Sequence, residues 1–238
     1  IAKAIIDSGK AKKVAGYDEF VASVASVKVS DEAKAIADQY LAAKKAMIVY
    51  QQNFLTVAGA TLIADIAMLS GHIGTPRDGI LAIRPKNNSQ GLIDMGITAG
   101  REALEGVKAL VVFGENADID TDALEFLAVC DTHMTELASK ADVVIPGTGF
   151  ASTNGTFTNT ERRLQLVEAA IDEGILFSNW EVAAEIAHVF EVDFEWEGTD
   201  DISDEMSDTV DAYKYAQLNE VLGGVLKPAD GAALVAVA

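Results

Sequence analysis

At 238 residues, half of them hydrophobic, the chain has room for one large domain or two small ones and is too apolar to be disordered. A formal net charge of −19, from 37 acidic against 18 basic residues, excludes nucleic acid as a partner, because phosphate contacts need clustered Lys and Arg. A single cysteine, Cys130, excludes an internal disulfide and any cysteine-ligated cluster held within these residues.

Taken in order, Ile1 to Val29 is rich in Ala and Lys and predicts one or two helices. Ser30 is an N-cap, with Asp31 and Glu32 in the first turn where the helix dipole favours acid, and Ala33, Ile36, Ala37, Tyr40 and Leu41 follow at helical spacing. The apolar run Ala46 to Tyr50 predicts a strand buried on both faces of a parallel sheet. Thr56 to Ser70 reads as a helix ended by Gly71, and Gly71 to Gly91 as a long loop. Ile97 to Gly106 is expected to be helical and Ala109 to Phe113 a second strand. Thr121 to Leu127 is expected as a short helix, Leu127 to Cys130 as a third strand, Thr135 to Lys140 as another short helix, and Asp142 to Ile145 as a fourth strand stopped by Pro146. Asn154-Gly155 signals a turn, and Arg162 to Val167 an extended return.

Strands alternating with helices predict an α/β fold: a doubly wound, mostly parallel sheet with helices on both faces. The expected organisation is a helical lead-in (1–30), a nucleotide-binding-like α/β domain (31–167) and a C-terminal helical acidic segment (168–238). In that last segment no Lys or Arg occurs between Arg163 and Lys214, while ten acids gather from Glu191 to Asp211. This pattern suits a solvated surface, and alternatively a face for a basic partner subunit.

In such sheets ligands bind beyond the carboxyl ends of the strands, where the strand order reverses. The residues there are Gln51, Gln52 and Asn53; Gly114, Glu115 and Asn116; Asp131, Thr132, His133 and Thr135; and Pro146 to Gly149. Gly114 lets the backbone approach a ligand, and Asp131 or Glu115 can accept from a guanine ring or a ribose hydroxyl. Asn53 and Asn116 offer both donor and acceptor, and Thr132 and Thr135 can reach a phosphate near a helix N-terminus. Asp131 and Thr132 serve equally well as caps for the next turn. No G-x-G-x-x-G, Walker A or G-x-S-x-G motif is present. His72, His133 and His188 lack ligand spacing, and Cys130 ends an apolar strand as a buried thiol would, so no catalytic or metal-binding constellation is expected. No apolar run approaches the roughly 20 residues of a membrane-spanning helix, so direct membrane insertion is not expected. The chain begins at Ile1 without a secretory leader, as a trimmed fragment would, and the expected location is cytoplasmic.

Ala141-Asp142-Val143-Val144-Ile145-Pro146 followed by Asn154-Gly155-Thr156-Phe157-Thr158-Asn159-Thr160-Glu161-Arg162-Arg163-Leu164-Gln165 closely resembles a signature of molybdopterin oxidoreductases. Asn87 to Gly96 (NNSQGLIDMG), Gly114-Glu115-Asn116 and Gly71 to Pro76 (GHIGTP) resemble further motifs of the family, in family order. Among members the motifs are nearest to those of the large subunit of NADH:quinone oxidoreductase, an NADH dehydrogenase, with the alpha subunit of formate dehydrogenases as the alternative. The resemblance implies a domain of the formate dehydrogenase and DMSO reductase type. It also implies a parent chain carrying iron–sulfur clusters outside these residues, and partners among its own remaining domains and other subunits of the complex. A molybdopterin guanine dinucleotide is then a possible ligand, with Asn53, Gly91, Gly114, Glu115, Asn116, Asp131, Thr132 and Thr135 as candidate contacts. The family's "GENP" proline is Ala117 here, and its "TETA" is Thr135-Glu136-Leu137-Ala138. A free-standing nucleotide-binding scaffold is a further reading.

Overall fold

Short polar caps set the helix starts. Ser30 Oγ accepts from the Ala33 N–H at 3.2 Å and opens helix α3 (Asp31–Ala42), which follows α1 (Ala2–Asp7) and α2 (Tyr17–Ser23). Thr56 Oγ1 accepts from the Gly59 N–H at 3.1 Å at the start of α4 (Val57–Ser70), and Gly71, with φ +80°, ends that helix in the left-handed conformation. The computed structural model describes residues 1–172, 174, 177–214 and 230–237. These form two compact units, one from 1–90, 160–162 and 230–237, the other from 91–159 and 163–214.

In the first unit the apolar faces of α1 to α4 enclose Ile5, Phe20, Val24, Ala37 and Leu69, and Leu234 from the far end of the chain joins them. Strand β1 (Met47–Gln51) pairs in parallel with β2 (Gly79–Ile83), Met47 opposite Gly79 and Gln51 opposite Ile83, with α4 as the crossover between them. The turn from α4 into β2 is tied down by polar contacts. Asp78 accepts from the Ala46 N–H at 2.8 Å, Lys45 Nζ at 2.9 Å and the Thr75 hydroxyl at 2.5 Å. Buried His72 donates from Nε2 to the Tyr40 carbonyl at 2.8 Å, and its Nδ1 lies 3.1 Å from Asp78.

The second unit holds a three-stranded parallel sheet in the order β3 (Ala109–Phe113), β4 (Phe126–Asp131), β5 (Val143–Pro146). β4 is the central strand, and Leu127 to Cys130 along it are buried. Leu127, Val129, Leu137 and Ala138 form the core, walled by Leu110, Val112, Ile119 and Leu124. An antiparallel hairpin follows, β6 (Gly155–Thr158) with β7 (Leu164–Val167), its turn held by the Arg163 N–H donating to Asn159 Oδ1 at 2.9 Å. Helix α6 (Asn179–Val189) opens with Glu181 accepting from the Ser178 N–H at 2.7 Å, and α7 (Thr199–Thr209) with Asp201 accepting from the Glu197 and Gly198 N–H groups.

The α/β class, with parallel sheets and flanking helices, is as expected, but four local expectations need correction. Gly79 to Ile83 form β2 inside what reads as a long loop, because β1 supplies a partner ladder. β1 alternates exposed and half-buried residues and is not covered on both faces, with Val49 55% exposed. Residues 121–125 make turns and no helix; the Asp122 N–H bonds back to Asp120 Oδ1, and the Glu125 N–H to the Lys108 carbonyl, launching β4. Between Ile97 and Gly106 only one 3₁₀ turn forms, Arg101–Leu104. Of the expected C-terminal helical segment, 215–229 lies outside the described residues.

Candidate functional site

Register brings three strand ends to one edge of the second unit. Phe113 lies opposite Cys130, Cys130 opposite Ile145, and Asp131 opposite Pro146. Beyond that row the backbone stays linked, with the Gly114 N–H donating to the Cys130 carbonyl at 2.8 Å and the Gly147 N–H to the Asp131 carbonyl at 3.1 Å. Gly114, Glu115, Asn116, Asp131, Thr132 and Thr135 therefore share one rim. The strands run in sequence order across this sheet, so the rim is a plain strand-end edge and not a point where the order reverses. Asn53 belongs elsewhere: it follows β1 in a 3₁₀ turn (Gln52–Phe54) of the first unit, at the end of a separate sheet. Gly91 is buried inside the short helix α5 (Ser89–Asp94), where its carbonyl accepts from the Met95 N–H, and it does not stand on this rim.

The rim residues divide by what already occupies them. Asn116 Oδ1 accepts from the Leu137 N–H at 3.2 Å and Thr135 Oγ1 from the Ala138 N–H at 3.1 Å, so both brace the turn that precedes β5. Asp131 Oδ1 accepts from the Thr132 N–H at 2.7 Å, and the Thr132 hydroxyl lies 2.7 Å from His133 Nδ1. Thr132 and Glu115 are exposed, and Asp131 is half-buried. Gly114 has φ +60°, and a Cβ there would meet nothing within 4 Å, so bare backbone faces open space. Gly147, in contrast, is filled from behind: a Cβ there would lie 3.0 Å from Cys130 Sγ. Burial pushes the Cys130 thiol up, and the neighbouring Asp131 charge adds to this. A small cavity of about 110 Å³ adjoins the rim, lined in part by Asn116, Asp118, Glu136 and Lys140.

Two basic residues escape a reading by motif. Lys140 lies in that cavity wall, 3.3 Å from Glu136. Arg84, immediately after β2, donates to Gln52 Oε1 at 3.1 Å and Gln90 Oε1 at 3.4 Å, a fixed cation at the carboxyl end of the β1–β2 pair. The signal for Arg84 was the run Ile80-Leu81-Ala82-Ile83 just before it; once that run is read as a strand, Arg84 becomes a strand-end residue.

A dinucleotide arm needs acceptors for ring N–H groups, hydroxyls, and backbone open to close approach. The Asp131 carboxylate, the Thr132 hydroxyl and Gly114 supply these three on one edge, so the donor set fits such a group.

The family model for molybdopterin oxidoreductases matches residues 24–189. The chain is 31% identical over 201 residues to F420-dependent formate dehydrogenase 1 subunit alpha of Methanococcus maripaludis, covering 63% of this chain and 30% of that protein. To formate dehydrogenase H of Escherichia coli it is 29% identical over 251 residues, covering 82% of this chain and 35% of that protein. It is similar to F420-dependent formate dehydrogenase subunit alpha of Methanocaldococcus jannaschii at 29% identity over 195 residues, 61% of this chain and 29% of that protein. The chain thus spans about a third of the length of these curated relatives. With a family match running from just after α2 to the end of α6, through both parallel sheets and the hairpin, this chain belongs to the molybdopterin oxidoreductase family.

Proposed function

We propose that these residues are part of the alpha subunit of a molybdenum- or tungsten-dependent formate dehydrogenase, and that the rim of β3, β4 and β5 holds one dinucleotide arm of a guanine-bearing molybdopterin. The observation that carries the reading is the agreement among relatives: each of those reported above is a formate dehydrogenase. The preference that the motifs give to the large subunit of NADH:quinone oxidoreductase therefore yields to the alternative.

When bound, a molybdopterin supplies the two-electron redox chemistry that no side chain here offers. What the chain's own residues contribute is binding and orientation. Asp131 keeps one carboxylate oxygen on the Thr132 N–H and leaves the other for incoming N–H donors, while Thr132 offers a hydroxyl and Gly114 a bare backbone. Asn116 and Thr135 act one step back, holding the turn that presents the rim. Glu115 is an exposed second carboxylate. Asn53 and Gly91 remain proposed cofactor contacts, each within its own unit, and Arg84 is an anion-holding cation of the first unit at the end of β2. In this reading iron–sulfur clusters sit elsewhere in the parent chain, further subunits complete the complex, and the assembly works in the cytoplasm. Among the described residues, no helix is long and apolar enough to cross a membrane.

The test is metal and pterin analysis of the full-length parent purified anaerobically, with formate-dependent reduction of an artificial acceptor as the second readout. Stoichiometric molybdenum or tungsten with a guanine-bearing pterin, together with formate oxidation, is expected. Iron without either metal and without pterin would return the chain to a scaffold in a subunit of the NADH:quinone oxidoreductase type.

A further inference from the structure

Asp65 is an acid among apolar neighbours. It lies on α4, where Ala67, Met68 and Leu69 are also buried, and is itself 1% exposed. Its Oδ1 accepts from the Val235 N–H at 3.3 Å, while Oδ2, equally buried, has no hydrogen-bond partner. Among the described residues, the elements around it bring no compensating cation. Lys3 and Asp7 of α1 pair with each other. Lys10, Lys12 and Lys13 of the following loop are exposed, as are Asp18 and Glu19 of α2 and Asp31, Glu32, Lys34 and Asp38 of α3. Burial pushes the Tyr40 phenol up from its ordinary value, so it brings no charge to Asp65. Asp65 is the sole titratable residue of α4, and residues 231–237 carry no titratable side chain.

Residues 231–237 form a strap laid over this acid. Leu234 inserts into the core beside Ile5, Phe20 and Leu69. The Leu234 N–H donates to the Ala15 carbonyl at 2.9 Å, and the Val237 N–H to Ser23 Oγ at 3.0 Å. Gly16, with φ +75°, admits the strap closely: a Cβ there would come within 2.6 Å of the Leu234 carbonyl oxygen. Three anchors thus hold the strap to the helical layer, and the fourth, from Val235, falls on Asp65.

We propose that Asp65 is the proton latch of this strap: it carries its proton while 231–237 are docked, and loss of that proton releases them. A buried carboxylate with one N–H donor and no cation is far costlier than a neutral carboxyl with one idle hydroxyl, and lifting the strap is the route by which the charge reaches water. Burial does push this carboxyl up from the ordinary range, the Val235 N–H pulling it back only in part. Because the docked state binds the extra proton, docking is complete below the ordinary Asp range and weakens as pH rises through the raised value.

Amide hydrogen exchange of Leu234, Val235 and Val237 in the full chain, corrected for intrinsic rates, reads this directly. In the unsubstituted protein their protection should fall by up to about ten-fold per pH unit, the slope for one proton, from the ordinary Asp range up to the raised value, and level off above it. In Asp65→Asn, which keeps the acceptor and removes the proton, protection should be high and independent of pH. Leu234→Ala should lower protection at every pH while keeping the slope. The infrared band of a protonated carboxyl, present at low pH and missing in Asp65→Asn, should disappear over the same range. Flat protection from about pH 3 to about pH 9 in the unsubstituted protein, or an unchanged slope in Asp65→Asn, would overturn the proposal.

Discussion

The hydroxyl of Tyr213 lies 2.6 Å from Thr158 Oγ1, with both residues 1% exposed, and it joins the stretch after α7 to the end of β6. Tyr213 packs with Leu164, Met95 and Met206, and Thr158 lies opposite Leu164 in the hairpin. This contact ties the family's hairpin motif to the acidic C-terminal region.

Tyr213→Phe leaves the ring in place and strips the hydroxyl from a buried pair, so the second unit should lose about 1–3 kcal/mol. Thr158→Val should cost a similar amount, and the double variant less than the sum of the two. Trp180 and Trp196, the two tryptophans of the chain, both lie in this unit, so denaturant unfolding followed by tryptophan fluorescence reads the effect.

Gly147→Ala places a methyl 3.0 Å from Cys130 Sγ, behind the rim, with little room for the thiol to move. A loss of about 1–3 kcal/mol is expected. Combining it with Cys130→Ala should recover part of the loss, whereas pure backbone strain at Gly147 would leave the two effects additive.

In the first unit the Thr75 hydroxyl, the Lys45 ammonium and the Ala46 N–H hold the Asp78 carboxyl well below its ordinary range, with His72 adding to them. A lowered carboxyl contributes stability that is present above its unfolded value and lost as pH falls toward the folded one. Exchange protection of the Ala46 and Gly79 amides should therefore decline below about pH 4, where unfolded Asp takes up protons. Asp78→Asn should flatten that decline and lower protection at neutral pH. A profile for Asp78→Asn matching the unsubstituted protein would remove Asp78 from this role.

On the rim, Asp131→Ala in the full-length parent should lower pterin retention about 10- to 100-fold, the range for a lost hydrogen bond to a charged group. Thr132→Ala should cost less, about 2- to 10-fold, as for a neutral hydroxyl. Pterin released after gel filtration is the measurement, with the folding of each variant checked by tryptophan fluorescence.

Features that rest on a few adjacent residues were legible in the sequence. The cap at Ser30, the helix ended by Gly71 and the run Ala109 to Phe113 needed no distant partner to be read, and the structure has them where the sequence predicts, with Thr56 as the cap of that helix and not its first residue. β2 was hidden because its identity comes from pairing with β1, and the Gly- and Pro-rich turn before it imitates a longer loop. The stretch at 121–125 has helix-compatible composition, but the Asp120 carboxylate and the Lys108 carbonyl claim its N–H groups first. For the site, three strand ends could be listed in advance, but not that β1 ends in a different sheet, since strand grouping is a property of tertiary pairing. Nothing near Asp65 in the sequence points to Val235.

The first unit is assembled mainly from both ends of these residues, 1–90 and 230–237, with the second unit encoded between them. During synthesis the second unit has all its described parts once residue 214 has emerged, while the N-terminal helices still lack Leu234 from their core. Vectorial synthesis should thus let residues 91–214 fold first and leave residues 1–90 to finish later, with an apolar groove open in the interval. Ribosome-stalled chains ending between the two stages would then present Ile5, Phe20 and Leu69 to chaperones, and chains extended past Val237 would not.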